Sequence, residues 1–379
     1  MQDSGRHHHL VRFGLLLIVI AFTVGVTSCG RMPTEIRNWY DLNAVTENRH
    51  GSYILMNNLD STTAGYIELA GPTANEGKGW QPIAVNNTFA GSFDGQRYEI
   101  GDLFVNRPDE SDVGLFGVVE TGGVIENVAI VNSDITGYQS VGNLVGYNRG
   151  TVSNSYARGN VAGDLDVGSV VGVNDGTVSN SYSSGTVTGG DSIGGLVGKN
   201  EGTVSDSYSA GNINGNDFVG GLVGKNNGTV SNSYSTGTVD GNDLVGDLVG
   251  VNVGTVSNSY AGGTVDGSNF VGGLLGRNEG AVSRCYSTGS VTGDEHIGGL
   301  VGQNLYGVVS NSFWDTLTSG QGSSDGGSGK TTAEMQDVTT FIDAGWNITA
   351  VDLGETSPTH TWNIVDTLTY PYLSWQSAA

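Results

Sequence analysis

The chain has 379 residues, 63 of them glycine and only 6 proline, with 15 tyrosines, 10 phenylalanines and 6 tryptophans. So much aromatic and β-branched content excludes a disordered Gly-rich linker and favours a folded, β-rich protein. The balance of 15 basic against 38 acidic residues, a formal −23, repels phosphate backbones and argues against nucleic acid as a partner.

Residues 1–28 read as an export signal. Arg6, His7, His8, His9 and Arg12 precede the apolar run FGLLLIVIAFTVGV at 13–26, which has the length of a signal-peptide core and is short for a membrane span. It ends in Val26-Thr27-Ser28-Cys29-Gly30, which resembles a bacterial lipobox. The resemblance implies cleavage before Cys29 and acylation of its thiol; an ordinary signal peptide with an incidental cysteine stays open. Either way the protein is expected to be exported, to the envelope or cell surface. Lipidation at Cys29 would make the membrane a partner through an N-terminal lipid. Cys285 would then be unpaired, which argues against a disulfide framework. It stands where the other repeats have Ser, which suggests a small packed residue.

Residues 29–49 read as a linker and cap, with a short amphipathic helix expected over 36–48. Residues 50–112 carry irregular phrases such as GSYILMNNLD and FAGSFDGQRYEIGDLFVN, with strand-like alternation around Asp-Gly turns. From 113 the chain repeats itself. Val141, Val167, Ile193, Val219, Val245, Val271 and Ile297 open seven phrases, and a looser copy opens at Val113. That fixed step of 26 residues signals a solenoid. No helical stripe runs through the phrase. Each copy therefore reads as two or three short strands and as many turns, and it can bury its apolar side only by stacking on other copies. The expected fold is all-β: a parallel β-helix, with seven coils making a rod of roughly 34 Å at ~4.8 Å per coil.

Two columns stand out. Asn148, Asn174, Asn200, Asn226, Asn252, Asn278 and Asn304 should stack into an amide ladder at a corner. Tyr156, Tyr182, Tyr208, Tyr234, Tyr260, Tyr286 and Phe313 form an aromatic column whose direction is open. Strict alternation from Val230 turns Tyr234 inward. The looser copy places Ala129 at the aromatic position, which turns the column outward if Asn127 marks a bend. Outward, it is a candidate binding stripe for a surface glycan or a protein ligand.

The stretch Gly221-Leu222-Val223-Gly224, with the following G-x-V-S-x-S-Y, resembles the GLUG motif of bacterial and archaeal surface proteins. The signature is intact at 195–198, 221–224, 273–276 and 299–302, and softened at Asn143, Ser169 and Asp247. The resemblance covers 113–315. The motif occurs in adhesin-like proteins and beside some secreted peptidases and supplies no catalytic residues; the function expected here is that of an adhesin-like, non-catalytic scaffold.

Past residue 315 the period stops. The loop SGQGSSDGGSGK at 319–330 leads to Thr331 and Glu334, a capping box that starts a helix expected through about Ile342. The strand-like end at 361–376 follows, and residues 316–379 together are expected to cover the open top.

Enzymatic motifs are poorly supported. Ser328-Gly329-Lys330-Thr331 mimics the end of a phosphate loop, but Ser324 stands where its first Gly is needed and no hydrophobic strand precedes it. His-Glu-x-x-His is absent, and His50, His296 and His360 are scattered. The acidic corner residues Asp164, Asp166, Asp191, Asp217, Asp243, Asp294 and Glu295 recur coil after coil, which fits turn chemistry. Asp191, Asp217 and Asp243 are weak calcium candidates; no metal or cofactor is otherwise expected. The alternative function is a carbohydrate-active β-helix enzyme using carboxylates in a groove over the irregular coils at 50–135.

Overall fold

One coil shows how the phrase becomes structure. Five short strands follow one another: Asp217–Gly220, Val223–Asn226, Thr229–Ser231, Tyr234–Ser235 and Thr238–Asp240. Each pairs in parallel with the same strand of the coils on either side. Val219 thus stands between Ile193 and Val245, and Tyr234 between Tyr208 and Tyr260. The computed structural model describes residues 32–85 and 87–376, and in them this pairing builds a parallel β-solenoid. The signal segment and Cys29 lie outside the described residues.

Each coil has five strands where two or three were expected, and two columns of left-handed backbone bend it, one between the third and fourth strands and one inside the first. Asn127, Asn154, Asn180, Asp206, Asn232, Asn258, Arg284 and Asn311 have φ between 47° and 55°. Asp112, Ser140, Asp166, Ser192, Phe218, Leu244, Phe270 and His296 have φ between 53° and 61°. Each such residue bends the strand without a loop, and Asn and Asp tolerate the region best.

The interior is a stack of apolar columns. In the coil from Asp217, Val219, Leu222, Val223, Val230 and Val239 are all fully buried, each worth about 1.5–3 kcal/mol of burial. The motif glycines bring two sheets together. A Cβ on Gly224 would lie 2.5 Å from the backbone carbon of Ser192 and 2.6 Å from the nitrogen of Ile193. Contacts that short exclude any side chain, so the glycine is a packing requirement.

The lower end is closed as expected. Helix α1 (Trp39–Asn43) starts at Asn38, whose side chain accepts from the Asp41 N–H at 3.0 Å, and a 3₁₀ turn (Ala44–Glu47) follows. Trp39, Leu42 and Val45 are fully buried, and the Trp39 ring packs 5.7 Å from Trp80.

The upper end divides the segment expected to cover it. The Gly/Ser loop lies on the last coil, and the helices and strands after it pack mainly at the aromatic column. Ser324 Oγ accepts from the backbone of Leu300 and Val301 at 3.2 and 2.9 Å, the Asp325 N–H donates to the Val301 carbonyl, and Ser328–Lys330 pairs with Phe313–Asp315. The capping box between Thr331 and Glu334 forms. The single expected helix is two, Thr332–Met335 and Val338–Asp343, because Asp337 caps a second start through the Thr339 N–H. These helices, with a small sheet of Ile348–Ala350, Trp362–Ile364 and Tyr372–Leu373, pack against the aromatic column on the side of the last coils.

Candidate functional site

The aromatic column points outward. Left-handed Asn232 turns the chain between Val230 and Tyr234, so Ser233 is fully buried and Tyr234 lies on the outer side. The bend at Asn127 does the same in the looser copy. Six tyrosines stack from Tyr156 to Tyr286 with centroids 4.7–5.0 Å apart and planes parallel within 11°. Coplanar rings cannot approach so closely, so each ring turns its faces to its neighbours and its edge and hydroxyl outward.

The chain itself occupies the upper rungs. Tyr286 and Phe313 pack in one cluster with Met335, Phe341, Trp346 and Trp362. Trp375 lies 5.7 Å from Tyr234 and 6.4 Å from Tyr208. Its Nε1 donates to the Asn232 carbonyl at 3.1 Å, and Gln376 donates to the Tyr260 hydroxyl at 2.8 Å. Burial pushes the Tyr234 phenol up to about 12 and those of Tyr260 and Tyr286 further. The expected stripe of seven is therefore corrected: Tyr260, Tyr286 and Phe313 are spent on the C-terminal module, Tyr234 and Tyr208 are flanked by Trp375, and Tyr156 and Tyr182 stand clear of the module. The Arg158 guanidinium lies 4.7 Å over Tyr156 and donates to the Tyr182 hydroxyl at 3.0 Å, and the Tyr156 hydroxyl donates to Glu99 at 3.1 Å.

The asparagine column is a ladder. Each Nδ2 donates to the Oδ1 of the next coil at 2.8–2.9 Å, from Asn148 through Asn174, Asn200, Asn226, Asn252 and Asn278 to Asn304. The first six are fully buried, so the column is inaccessible to a ligand. A second polar ladder was missed in the sequence. Ser155, Ser181, Ser207 and Ser233 each donate a backbone N–H to the next serine hydroxyl. Cys285 stands in that ladder, fully buried, and burial pushes its thiol up to about 12. It is held as a neutral thiol and is no nucleophile.

Asp191, Asp217 and Asp243 stack in register, and Asn269 donates to Asp243 at 2.6 Å. Burial, then the charges of Asp191 and Asp243, raises the Asp217 carboxyl above its ordinary range. Among the described residues no group of three or more His, Cys, Asp or Glu side chains is arranged to hold a metal ion. Asp247, where the motif has Gly, is fully buried. It accepts from Ser235 Oγ at 2.8 Å and the Gly263 N–H at 2.5 Å, and burial pushes it up to about 7.

Over the irregular coils lies a cleft of about 720 Å³ lined by Glu76, Lys78, Arg107 and Glu110, among others. Arg107 is 4% exposed; its Nη1 donates to both Glu110 oxygens at 3.0 Å, and Lys78 donates to Glu110 at 2.9 Å. Burial works to raise the Glu110 carboxyl, but the hydrogen bonds from Lys78 and Arg107 outweigh it and hold it below the ordinary range. Glu110 is thus an ionised partner of two cations, unsuited to the general-acid role of the two carboxyl groups that glycoside hydrolysis uses.

Comparison with known proteins places the repeat. The family model described as the GLUG motif matches residues 219–240 and 267–292. Halomucin of Haloquadratum walsbyi is 37% identical over 139 residues, 35% of this chain and 2% of that protein. A provisionally named Gly-rich membrane protein of Evansella cellulosilytica is 36% identical over 104 residues, 26% of this chain and 11% of the relative. The chain thus matches only small fractions of these relatives' own length. A crystal structure of a provisionally assigned immunoglobulin A1 protease from Bacteroides ovatus aligns over 91% of this chain and 93% of its own, at 16% identity and a TM-score of 0.47. The motif model matches two coils of this solenoid, at 219–240 and 267–292, so the chain carries repeats of the GLUG-motif kind.

Proposed function

We propose that the chain is an exported, lipid-anchored surface scaffold that acts by adhesive contact and not by catalysis. The observation that carries this reading is the tyrosine ladder with its C-terminal module: side chains of its own chain already bury against the upper rungs, and Tyr156 and Tyr182 repeat the same surface below. Because the ring faces are turned into the stack, the open rungs suit protein side chains that pack against aromatic edges and hydroxyls. The partner is a protein segment rich in Trp and Tyr. The relatives named for a halomucin and a membrane protein support an envelope location. No helix among the described residues is long and apolar enough to cross a membrane, and the attachment proposed is a lipid on Cys29.

Two measurements test this. Replacing Cys29 with Ser should move the protein from the membrane fraction to the soluble fraction, and continued attachment would refute lipidation. A synthetic peptide of residues 361–376, used as a Trp- and Tyr-rich probe, should bind the full chain. The double substitution Tyr156→Ser, Tyr182→Ser should weaken that binding about tenfold, or 1.4 kcal/mol. Unchanged binding would remove the ladder from the site.

A further inference from the structure

The cleft at Arg107 is one end of a longer feature. A second cavity of about 490 Å³ shares Val85 and Ser111 with it, and a third of about 420 Å³ shares Gln139, Ser140 and Tyr147 with the second. Ser111 pairs with Gln139 and Gln139 with Leu165 in successive coils, so the three form one groove along the solenoid axis. It runs from Arg107 to Lys199 over about four coils, or ~19 Å. It lies over the sheets that carry Gln139 and Tyr147, not the sheet of the tyrosine ladder.

We infer that this groove is a binding site for a neutral, linear glycan lying along the solenoid axis. The reasoning rests on its polar groups. Charges of both signs line it, and the cations are already paired: Lys78 and Arg107 on Glu110, Arg149 with Glu120 at 3.5 Å, Lys199 with Glu201 at 2.8 Å. A charged polymer meets like charge along the groove. A hydroxyl accepts from a guanidinium or ammonium and donates to a carboxylate, so a polyhydroxyl chain suits every such pair.

A peptide fits less well. The strands cross beneath the groove and spend their backbone groups on pairing with neighbouring coils, which leaves no sheet edge for strand addition. Tyr147 lines the groove, its hydroxyl donating to Asp175 and the Arg149 guanidinium lying 4.7 Å over its ring, so that ring and guanidinium together present one fixed contact surface. The groove also has an upper limit. The bend column that is Asp112, Ser140, Asp166 and Ser192 becomes Phe218, and Lys225 lies 5.9 Å from that ring.

Titration calorimetry of the full chain with linear β-linked glucose and N-acetylglucosamine oligosaccharides of two to eight units tests this. Affinity should rise with length and level off once the oligosaccharide outruns the groove. Lys199→Ala, at a half-exposed side chain, and Tyr147→Ala should each weaken the longest binder about tenfold with thermal unfolding unchanged for the lysine variant. The Tyr156→Ser, Tyr182→Ser protein should bind it as the native chain does, which keeps this site distinct from the ladder. No heat with any oligosaccharide, an affinity independent of length, tighter binding of an extended peptide of mixed charge, or undiminished binding by both groove variants would overturn the inference.

Discussion

A single carboxyl breaks the rule of its column. Beside Asp247 the preceding coil has Gly221, where a Cβ would lie 2.0 Å from the Asp247 carbonyl, and a charge without a cation is enclosed in that space. Its folded pKa, about 7, lies above the ordinary 3.8. The protonated form is therefore favoured by folding: its contribution is complete below about pH 3.8 and is lost as pH rises through 7, by about 4 kcal/mol in all. Asp247→Gly should remove this slope, so that the variant unfolds at a higher temperature than the native chain at pH 8 and the gap narrows at pH 4. An equal gap at both pH values would show that Asp247 is charged and solvated. The amide ladder answers to the same arithmetic. Asn226→Leu removes the side-chain acceptor of Asn200 Nδ2, which keeps its bonds to the Gly202 and Thr229 carbonyls, and strips the Oδ1 of Asn252 of its ladder donor, at a cost of about 1–3 kcal/mol, read as a lower unfolding temperature. A native-like transition would mean that the ladder contributes nothing.

Among the elements, the bends decide what each column can do, and they explain which parts of the structure were legible in sequence. The 26-residue step, the apolar columns and the asparagine ladder all follow from identity in register, which the repeat displays openly. The direction of Tyr234 does not, because alternation holds only while the backbone stays extended, and one left-handed residue reverses it. The signal was present: Asn180, Asp206, Asn232 and Asn258 occupy one column, and Asn and Asp are the residues that enter that region. Arg284 obscures the pattern, since its conformation is imposed by the coils around it. The seat of the C-terminal module was illegible, because nothing local tells Trp362 whether to cover the end of a solenoid or its side. The burial it imposes is measurable. Ending the chain after Lys330 should bring the phenols of Tyr260 and Tyr286 back toward the ordinary range near 10 in a spectrophotometric titration. Phenols that still resist ionisation would place their protection in the stack itself.

At the scale of the whole molecule, the repeat works as a ruler. Fixed coil length keeps every column in line, so any group at one coil recurs at ~4.8 Å steps, and the chain presents long tracks in place of a pocket. The ladder is such a track, and so is the groove from Arg107 to Lys199. The groove was only half legible: a cleft over the irregular coils was expected there for an enzyme, but its continuation depends on Ser111, Gln139 and Leu165 pairing across coils. Glu110, held ionised between two cations, is unsuited to serve as a general acid, and Cys285 is held neutral in the serine ladder. The most direct test is to incubate the full chain with the oligosaccharides and the peptide probe above and to follow them by mass spectrometry. The account predicts that every probe is recovered intact, bound or free, over many times the binding half-life; a cleaved product that accumulates with time and disappears with Glu110→Gln would contradict it.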